Sequence, residues 1–191
     1  MLSLKVINLW SAPGTGKSTT AAGLFNIMKM HGHSVEYVAE VAKDLVWSKD
    51  WMGLSHQPSI FGAQDYRLRR LEGQVEWAIT DSPLPMACAY LGEEWGGLDG
   101  WLADATWHAF DRYHNVNVLL HRNPGHKYDP KGRMQESLEE SMKLDNVIDC
   151  LFSHAEDSAV ASFEELVDHN TCHRIYHRII NHDPLEGQNL G

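Results

Sequence analysis

The chain has 191 residues, 43% of them hydrophobic, which fits one compact α/β domain over 1–191 and leaves little room for a second. Its 16 basic and 26 acidic residues give a formal charge of -10, which excludes a protein that gathers polyanions by its overall field; any nucleic-acid contact must come from a local patch. Cys88, Cys150 and Cys172 are far apart and form no CxxC pair, and neither a signal-like apolar core nor a membrane-length apolar run occurs, so a cytoplasmic setting with buried thiols and no membrane partner is expected.

In chain order, residues 4–9 form an apolar run interrupted by Lys5 and Asn8 that enters a glycine turn at once, the pattern of a buried parallel strand. From Lys17 to Met30, Ala21, Leu24, Phe25 and Met28 recur at helical spacing, and His31-Gly32 ends that helix. A second strand is expected over 35–39, with Glu40 at its carboxyl end and a short helix to about Trp47. Residues 59–74 read as an amphipathic helix rich in arginine, and 75–80 as a third strand ending at Asp81-Ser82-Pro83, where proline suits the first turn of a new helix. The four glycines between Gly92 and Gly100 predict a loop, followed by a helix over 101–113 and a fourth strand over 115–120. A basic segment, about 121–135, then leads to a capping box, Ser137-x-x-Glu140, that opens a helix with Leu138, Met142, Val147, Ile148 and Leu151 on one face. A weak last strand near 159–162 and a helix over 169–180 complete an α/β pattern.

Alternating strands and helices predict a parallel sheet of about five strands with helices on both faces, and a ligand site at the carboxyl ends of the strands. The turn after the first strand carries the pattern of a P-loop: Pro13, Gly14, Thr15, Gly16, Lys17, Ser18 and Thr19 stand between strand and helix. There, backbone amides and the helix amino terminus surround phosphates, Lys17 bridges the outer ones, and Ser18 can hold Mg2+. Ser11 replaces the usual glycine at the turn entry and leaves the cradle itself intact.

Asp81 at a strand end can hold Mg2+ through water or accept a proton from an attacking group, or else cap the helix before which Pro83 stands. Glu40 is placed in the same way on another strand, as a base or as a solvated helix start. The segment 121–135 suits a short lid that brings Arg122 and Arg133 over a terminal phosphoryl group, or a solvated basic loop. Gln64, Arg67 and Arg70 on the arginine-rich helix are candidates for the acceptor, although the spacing of the arginines spreads them round the helix. Trp47, Trp51 and Phe61 fit a core more readily than a stacking surface. His169, His173 and His177 share a helix face, but no second ligand cluster accompanies them.

The segments Pro13 to Leu24, Glu40-Val-Ala-Lys-Asp-Leu45, Thr80-Asp-Ser-Pro83 and Tyr128-x-Pro-x-Gly-Arg-x-Gln135 resemble small bacteriophage P-loop kinases, relatives of thymidylate kinase and of nicotinamide-riboside kinases. The resemblance runs from the first strand to the helix after the lid. It implies ATP as donor and a primary alcohol as acceptor: in hydroxymethyluracil DNA kinases, the hydroxymethyl group of 5-hydroxymethyluracil within phage DNA, a step toward hypermodified thymidine and evasion of restriction. Lys17, Asp81, Glu40 and Arg133 are then the catalytic candidates. Two other readings stay open. A kinase of a free nucleoside or nucleotide suits the net charge, whereas for a P-loop ATPase or GTPase switch the sequence lacks the expected Asn-Lys-x-Asp segment and the acidic pair at Asp81.

Overall fold

A computed structural model describes residues 3–92, 97–125, 127–131, 133–135 and 137–181 of the protein. The expected loop at 92–100 and the lid at 121–135 therefore lie partly outside the described residues, at 93–96, His126 and Gly132.

Five parallel strands stand in the order β2-β3-β1-β4-β5: β1 Lys5–Trp10, β2 Val35–Val38, β3 Trp77–Thr80, β4 His114–His121 and β5 Ala161–Leu166. Parallel neighbours cannot be joined by a tight hairpin, and helices make each crossover. These are α1 Lys17–Met30, α2 Val41–Ser48, α3 Trp51–Ser55, α4 Gln57–Arg69, α5 Trp101–Phe110, α6 Leu138–Met142, α7 Asp145–Glu156 and, after β5, α8 Thr171–Asn181. Successive side chains of β1 go to opposite faces. Ile7 and Leu9 meet Ala21, Leu24 and Met28 of α1 and Ile175 of α8, whereas Val6 and Trp10 meet Phe110 of α5 and Ile148 and Phe152 of α7. Asn8 is buried in the middle of the sheet. Its amide nitrogen donates to Asn115 Oδ1 at 2.9 Å and Asn117 Oδ1 at 3.1 Å, and Trp10 Nε1 donates to the latter at 3.1 Å. A polar residue is thus tolerated in an otherwise apolar strand because it has partners.

The register pairs Asn8 with Thr80 and Thr80 with Val38, so β3 and β2 end together and β1 runs on to Trp10. Their carboxyl ends carry Ser11, Asp81 and Glu40 onto one edge, next to Arg122 after β4. That edge is where a doubly wound sheet leaves room for a ligand.

Several elements depart from the sequence reading for identifiable reasons. The helix expected at Pro83 is a 3-10 helix, Leu84–Tyr90, with Pro83 at its N-cap and Pro85 disfavouring regular α backbone at Leu84 before it. The capped helix after Ser137 is broken into α6 and α7, and α6 buries Ser141 instead of Leu138 and Met142, which remain exposed. The capping bond is present, with the Glu140 N–H donating to Ser137 Oγ at 3.2 Å. β5 extends beyond the expected 159–162 because, as an edge strand, it can carry Glu164 and Leu166 toward solvent. Trp47 and Trp51 are not core residues: they are 63% and 60% exposed. Of the cysteines, all free, only Cys88 is buried; Cys172 is partly so and Cys150 is exposed.

Candidate nucleotide-binding site

The chain leaves β1 at Trp10 and turns through Ser11–Gly16 before α1 begins at Lys17. Gly14 and Gly16 hold φ values of 82° and 119°, in the region that favours glycine, so the turn can present its amides inward without steric cost. Gly14 is also needed for space. A Cβ there would fall 2.5 Å from Cε2 of Tyr128, whose ring lies against the loop. Thr15 Oγ1 donates to the Ala12 carbonyl at 3.0 Å and keeps the turn closed.

A cavity of about 190 Å³ opens at this edge, and Pro13, Gly14, Gly16, Lys17, Ser18 and Thr19 form one end of it. Lys17 folds back, Nζ donating to the Ser11 carbonyl at 2.6 Å and the Ala12 carbonyl at 3.4 Å. Burial lowers the Lys17 pKa; the charges of Glu40 and Asp81 oppose that shift, while Arg133 and Arg122 add to it. A cation so placed gains from an anion entering the cradle.

Asp81, 1% exposed, is not a helix cap. Its Oδ2 accepts from the Tyr37 hydroxyl at 2.8 Å and its Oδ1 from the Glu40 N–H at 3.0 Å, so it binds the end of β2 to the end of β3. The Tyr37 hydroxyl is held protonated by burial and by the Asp81 carboxylate. Glu40 precedes α2, makes no side-chain cap bond and lines the cavity. Burial pushes its carboxyl pKa up, against the pull of Lys17 and with the repulsion of Asp81. A carboxylate with a raised proton affinity beside a site of attack has the properties of a general base.

From the segment after β4, Arg133 enters the cavity wall with Lys131, Met134 and Gln135. Its Nη1 is buried and has no hydrogen-bond partner, and its guanidinium stacks on Tyr128, 5.3 Å from the ring centroid. Tyr128 is anchored by its hydroxyl donating to the Gln135 carbonyl at 2.8 Å. An unsatisfied buried guanidinium nitrogen is costly alone and is satisfied by an anionic oxygen.

Arg122 does not line the cavity. It lies behind the loop, where Nη1 donates to the Pro13 carbonyl at 3.1 Å and Nη2 to Ser141 Oγ at 3.0 Å, with Asp145 3.5 Å away. Arg122, expected over a terminal phosphoryl group, is thus placed against the back of the turn. Arg67 and Arg70 also fall outside the cavity wall: Arg67 donates to the Ala39 carbonyl at 2.8 Å and pairs with Asp44 at 2.7 Å, and Arg70 donates to the Arg67 carbonyl at 3.3 Å. Gln64 does reach the wall, but both ends of its amide are used, accepting from the Val41 N–H at 3.0 Å and donating to Thr80 Oγ1 at 3.4 Å.

Three contributors were not singled out from sequence. Lys43 of α2 lines the cavity and donates to Ser18 Oγ at 3.4 Å. Tyr90, its phenol kept protonated by burial and by the nearby Glu40 charge, lines the wall from the 3-10 helix. Ser141 holds the Pro13 carbonyl at 2.6 Å from α6. Two of them carry a sequence signal: Lys43 lies within the Glu40–Leu45 segment, and a capping box announces the helix of Ser141.

Much of the remaining cavity lining is apolar: Val46 of α2, Leu54 of α3, Ile60 and Phe61 of α4, and Leu84, Met86 and Ala87 of the 3-10 helix, with Gln57. Among the described residues no three His, Cys, Asp or Glu side chains gather as a metal cluster. Mg2+ in phosphate sites needs fewer protein ligands, because it keeps water and takes phosphate oxygens. Ser18 Oγ and the remaining lone pairs of Asp81 fit such a partial shell.

A glycine turn between a central parallel strand and a helix, with a lysine at the turn's end and a carboxylate on the neighbouring strand, defines a P-loop nucleotide-binding protein. The chain belongs to the AAA domain family AAA_28, whose family model matches residues 6–159, from β1 through the end of α7. No curated protein matches it in sequence. Among the described residues no helix is long and apolar enough to cross a membrane.

Proposed function

We propose that the protein is an ATP-dependent kinase with an alcohol acceptor, and that the acceptor is the hydroxymethyl group of 5-hydroxymethyluracil in phage DNA. The division of the cavity carries this reading. Its cationic end is made by the loop, the lid and the start of α2, whereas α3, α4 and the 3-10 helix supply an apolar wall without a lysine or arginine. A nucleoside monophosphate acceptor would need cations for its own phosphate, and Arg67 and Arg70, which could have served, are bound elsewhere. A planar, uncharged base with a hydroxyl directed toward Glu40 suits that wall, with Phe61 and Tyr90 as aromatic surfaces and Gln57 and Gln64 at its polar edge.

In this mechanism the loop amides and Lys17 bind the β- and γ-phosphates. Glu40 accepts the proton of the acceptor hydroxyl, and Arg133 stabilises charge on the transferred group. Asp81 orients the ends of β2 and β3. Mg2+, held by Ser18 and through water by Asp81, would neutralise phosphate charge. The expected role in DNA hypermodification and restriction evasion follows from the resemblance of the four motifs, and a free nucleoside is the second acceptor compatible with the same wall.

The test is transfer of label from γ-labelled ATP with magnesium, offered in parallel hydroxymethyluracil-containing DNA, ordinary DNA, free nucleosides and nucleotides. Label on the modified DNA alone supports the polymer kinase. Label on a free nucleoside moves the acceptor, label on a nucleotide overturns the uncharged-acceptor argument, and ATP hydrolysis without transfer favours an ATPase switch.

A further inference from the structure

We propose that Lys43 is a second phosphoryl-binding cation of this site, which leaves the Ser18 hydroxyl when nucleotide enters and holds the γ-phosphoryl group from the acceptor side. The proposal rests on the kinase reading and adds a residue that the loop motif does not contain.

Lys43 projects from the first turn of α2, three residues after Glu40, into the cavity that Lys17 and Arg133 enter from the loop and the lid. Among the described residues its ammonium has one hydrogen-bond partner, Ser18 Oγ at the long distance of 3.4 Å, and no carboxylate within 4.0 Å. Neighbouring cations on this edge are differently placed. Arg67 is held by Asp44 and the Ala39 carbonyl, and Arg122 by the Pro13 carbonyl and Ser141. Lys43 is therefore half-buried in the cavity wall, near enough to Glu40 for its charge to act on that carboxyl, and its one hydrogen bond is to a neutral hydroxyl that it can give up at little cost.

Its position also differs from that of Lys17. Lys17 follows the loop and stays with the donor phosphates, whereas α2 continues through Ala42 and Val46 into the wall that receives the acceptor. During transfer the acceptor oxygen forms a bond to the γ-phosphorus, and the bond from that phosphorus to the β,γ-bridging oxygen breaks. The electron pair goes to the β-phosphate to leave ADP, and the hydroxyl proton passes to the Glu40 carboxylate. The phosphoryl group thus moves away from the loop and toward α2. A cation on α2 gains contact as the group moves, and such an interaction favours the transition state over the bound donor.

The experiment compares the full-length wild type with Lys43→Met and Lys43→Arg, each first checked for an unchanged melting temperature. Calorimetry measures the affinity of ADP and of the β,γ-imido analogue of ATP, both with magnesium, and a parallel assay measures transfer to the acceptor that the wild type uses. Lys43→Met is expected to bind ADP within about twofold of wild type, to lose about tenfold in affinity for the triphosphate analogue, and to lose about 100-fold in kcat. Lys43→Arg restores the preference for triphosphate. An unchanged ratio of triphosphate to ADP affinity in Lys43→Met overturns the proposal, as does an equal loss for both nucleotides. If the wild type transfers to no acceptor while Lys43→Met still loses the triphosphate preference, the kinase reading fails and the placement of Lys43 stands.

Discussion

Burial acts on the charges of Lys17 and Glu40 in the cavity in opposite senses, lowering the pKa of one and raising that of the other. Lys17 loses hydration, and two carbonyl oxygens with the charges of Glu40 and Asp81 offset that loss only in part. Its replacement by methionine removes a poorly compensated charge and keeps the aliphatic volume. Lys17→Met should therefore abolish transfer, by at least about 100-fold in kcat/KM, without lowering the melting temperature. Kinetics alongside thermal unfolding checks this, and activity within about tenfold of wild type would remove Lys17 from the mechanism.

For Glu40 the sign follows from its raised pKa. The folded protein binds this proton more tightly than the unfolded chain, so the stability linked to it is full below the ordinary value of 4.5 and is lost as pH rises through the folded value. Glu40→Gln stays neutral. The stability of Glu40→Gln relative to wild type should accordingly increase with pH above 4.5, measured by denaturant unfolding at a series of pH values. If Glu40 is the base, the acid limb of the wild-type transfer profile lies above the ordinary carboxylate range and is absent in Glu40→Gln. An identical acid limb in both proteins would assign the base elsewhere.

At the scale of elements, α6 is a five-residue helix whose work is done by one buried hydroxyl. Ser141 Oγ donates to the Pro13 carbonyl at 2.6 Å and accepts from Arg122 Nη2 at 3.0 Å, so the loop, the strand end after β4 and α6 are fastened together. Ser141→Ala leaves the Arg122 nitrogen without that acceptor and the Pro13 carbonyl with one donor fewer, a cost of about 1–2 kcal/mol. A fall of about 2–6 °C in melting temperature is expected, with a raised KM for ATP and a smaller change in kcat. A variant with wild-type melting and KM would show that the loop keeps its shape without α6.

This helix also marks the limit of what the sequence makes legible. The glycine turn, Glu40 and Asp81 can be read because each adjoins a strand in the chain, and a parallel α/β pattern sends all strand ends to one edge. Ser141, Lys43, Tyr128 and Tyr90 reach the loop or the cavity only through tertiary packing, which no local spacing encodes. The partners of Arg67 and Arg70 are hidden for the same reason: Arg67 meets Ala39 and Asp44, and Arg70 turns back to the Arg67 carbonyl. The sheet order likewise depends on which crossover passes over which face.

For the whole molecule, the formal charge of -10 and the placement of its cations bear on the same question. Much of the arginine is consumed internally. Arg67 pairs with Asp44, Arg69 with Asp65, Arg112 with Glu72, and Arg174 and Arg178 both reach Glu165 across the β5–α8 junction. The cations that line the cavity are Lys17, Lys43, Lys131 and Arg133, and bound nucleotide claims most of their charge. Few remain to neutralise a DNA backbone, so recognition of a DNA acceptor would have to come from the base inside the cavity. Affinity for ordinary DNA, measured by fluorescence anisotropy in the presence of ADP, should be weak, with Kd above about 10 µM at physiological salt, and log K should fall with log salt at a slope shallower than about -3. Hydroxymethyluracil in the same strand should tighten binding without steepening that slope, because the added contacts are to an uncharged base. A slope steeper than about -5 on either DNA would mean that a basic surface, and not the cavity, governs the encounter.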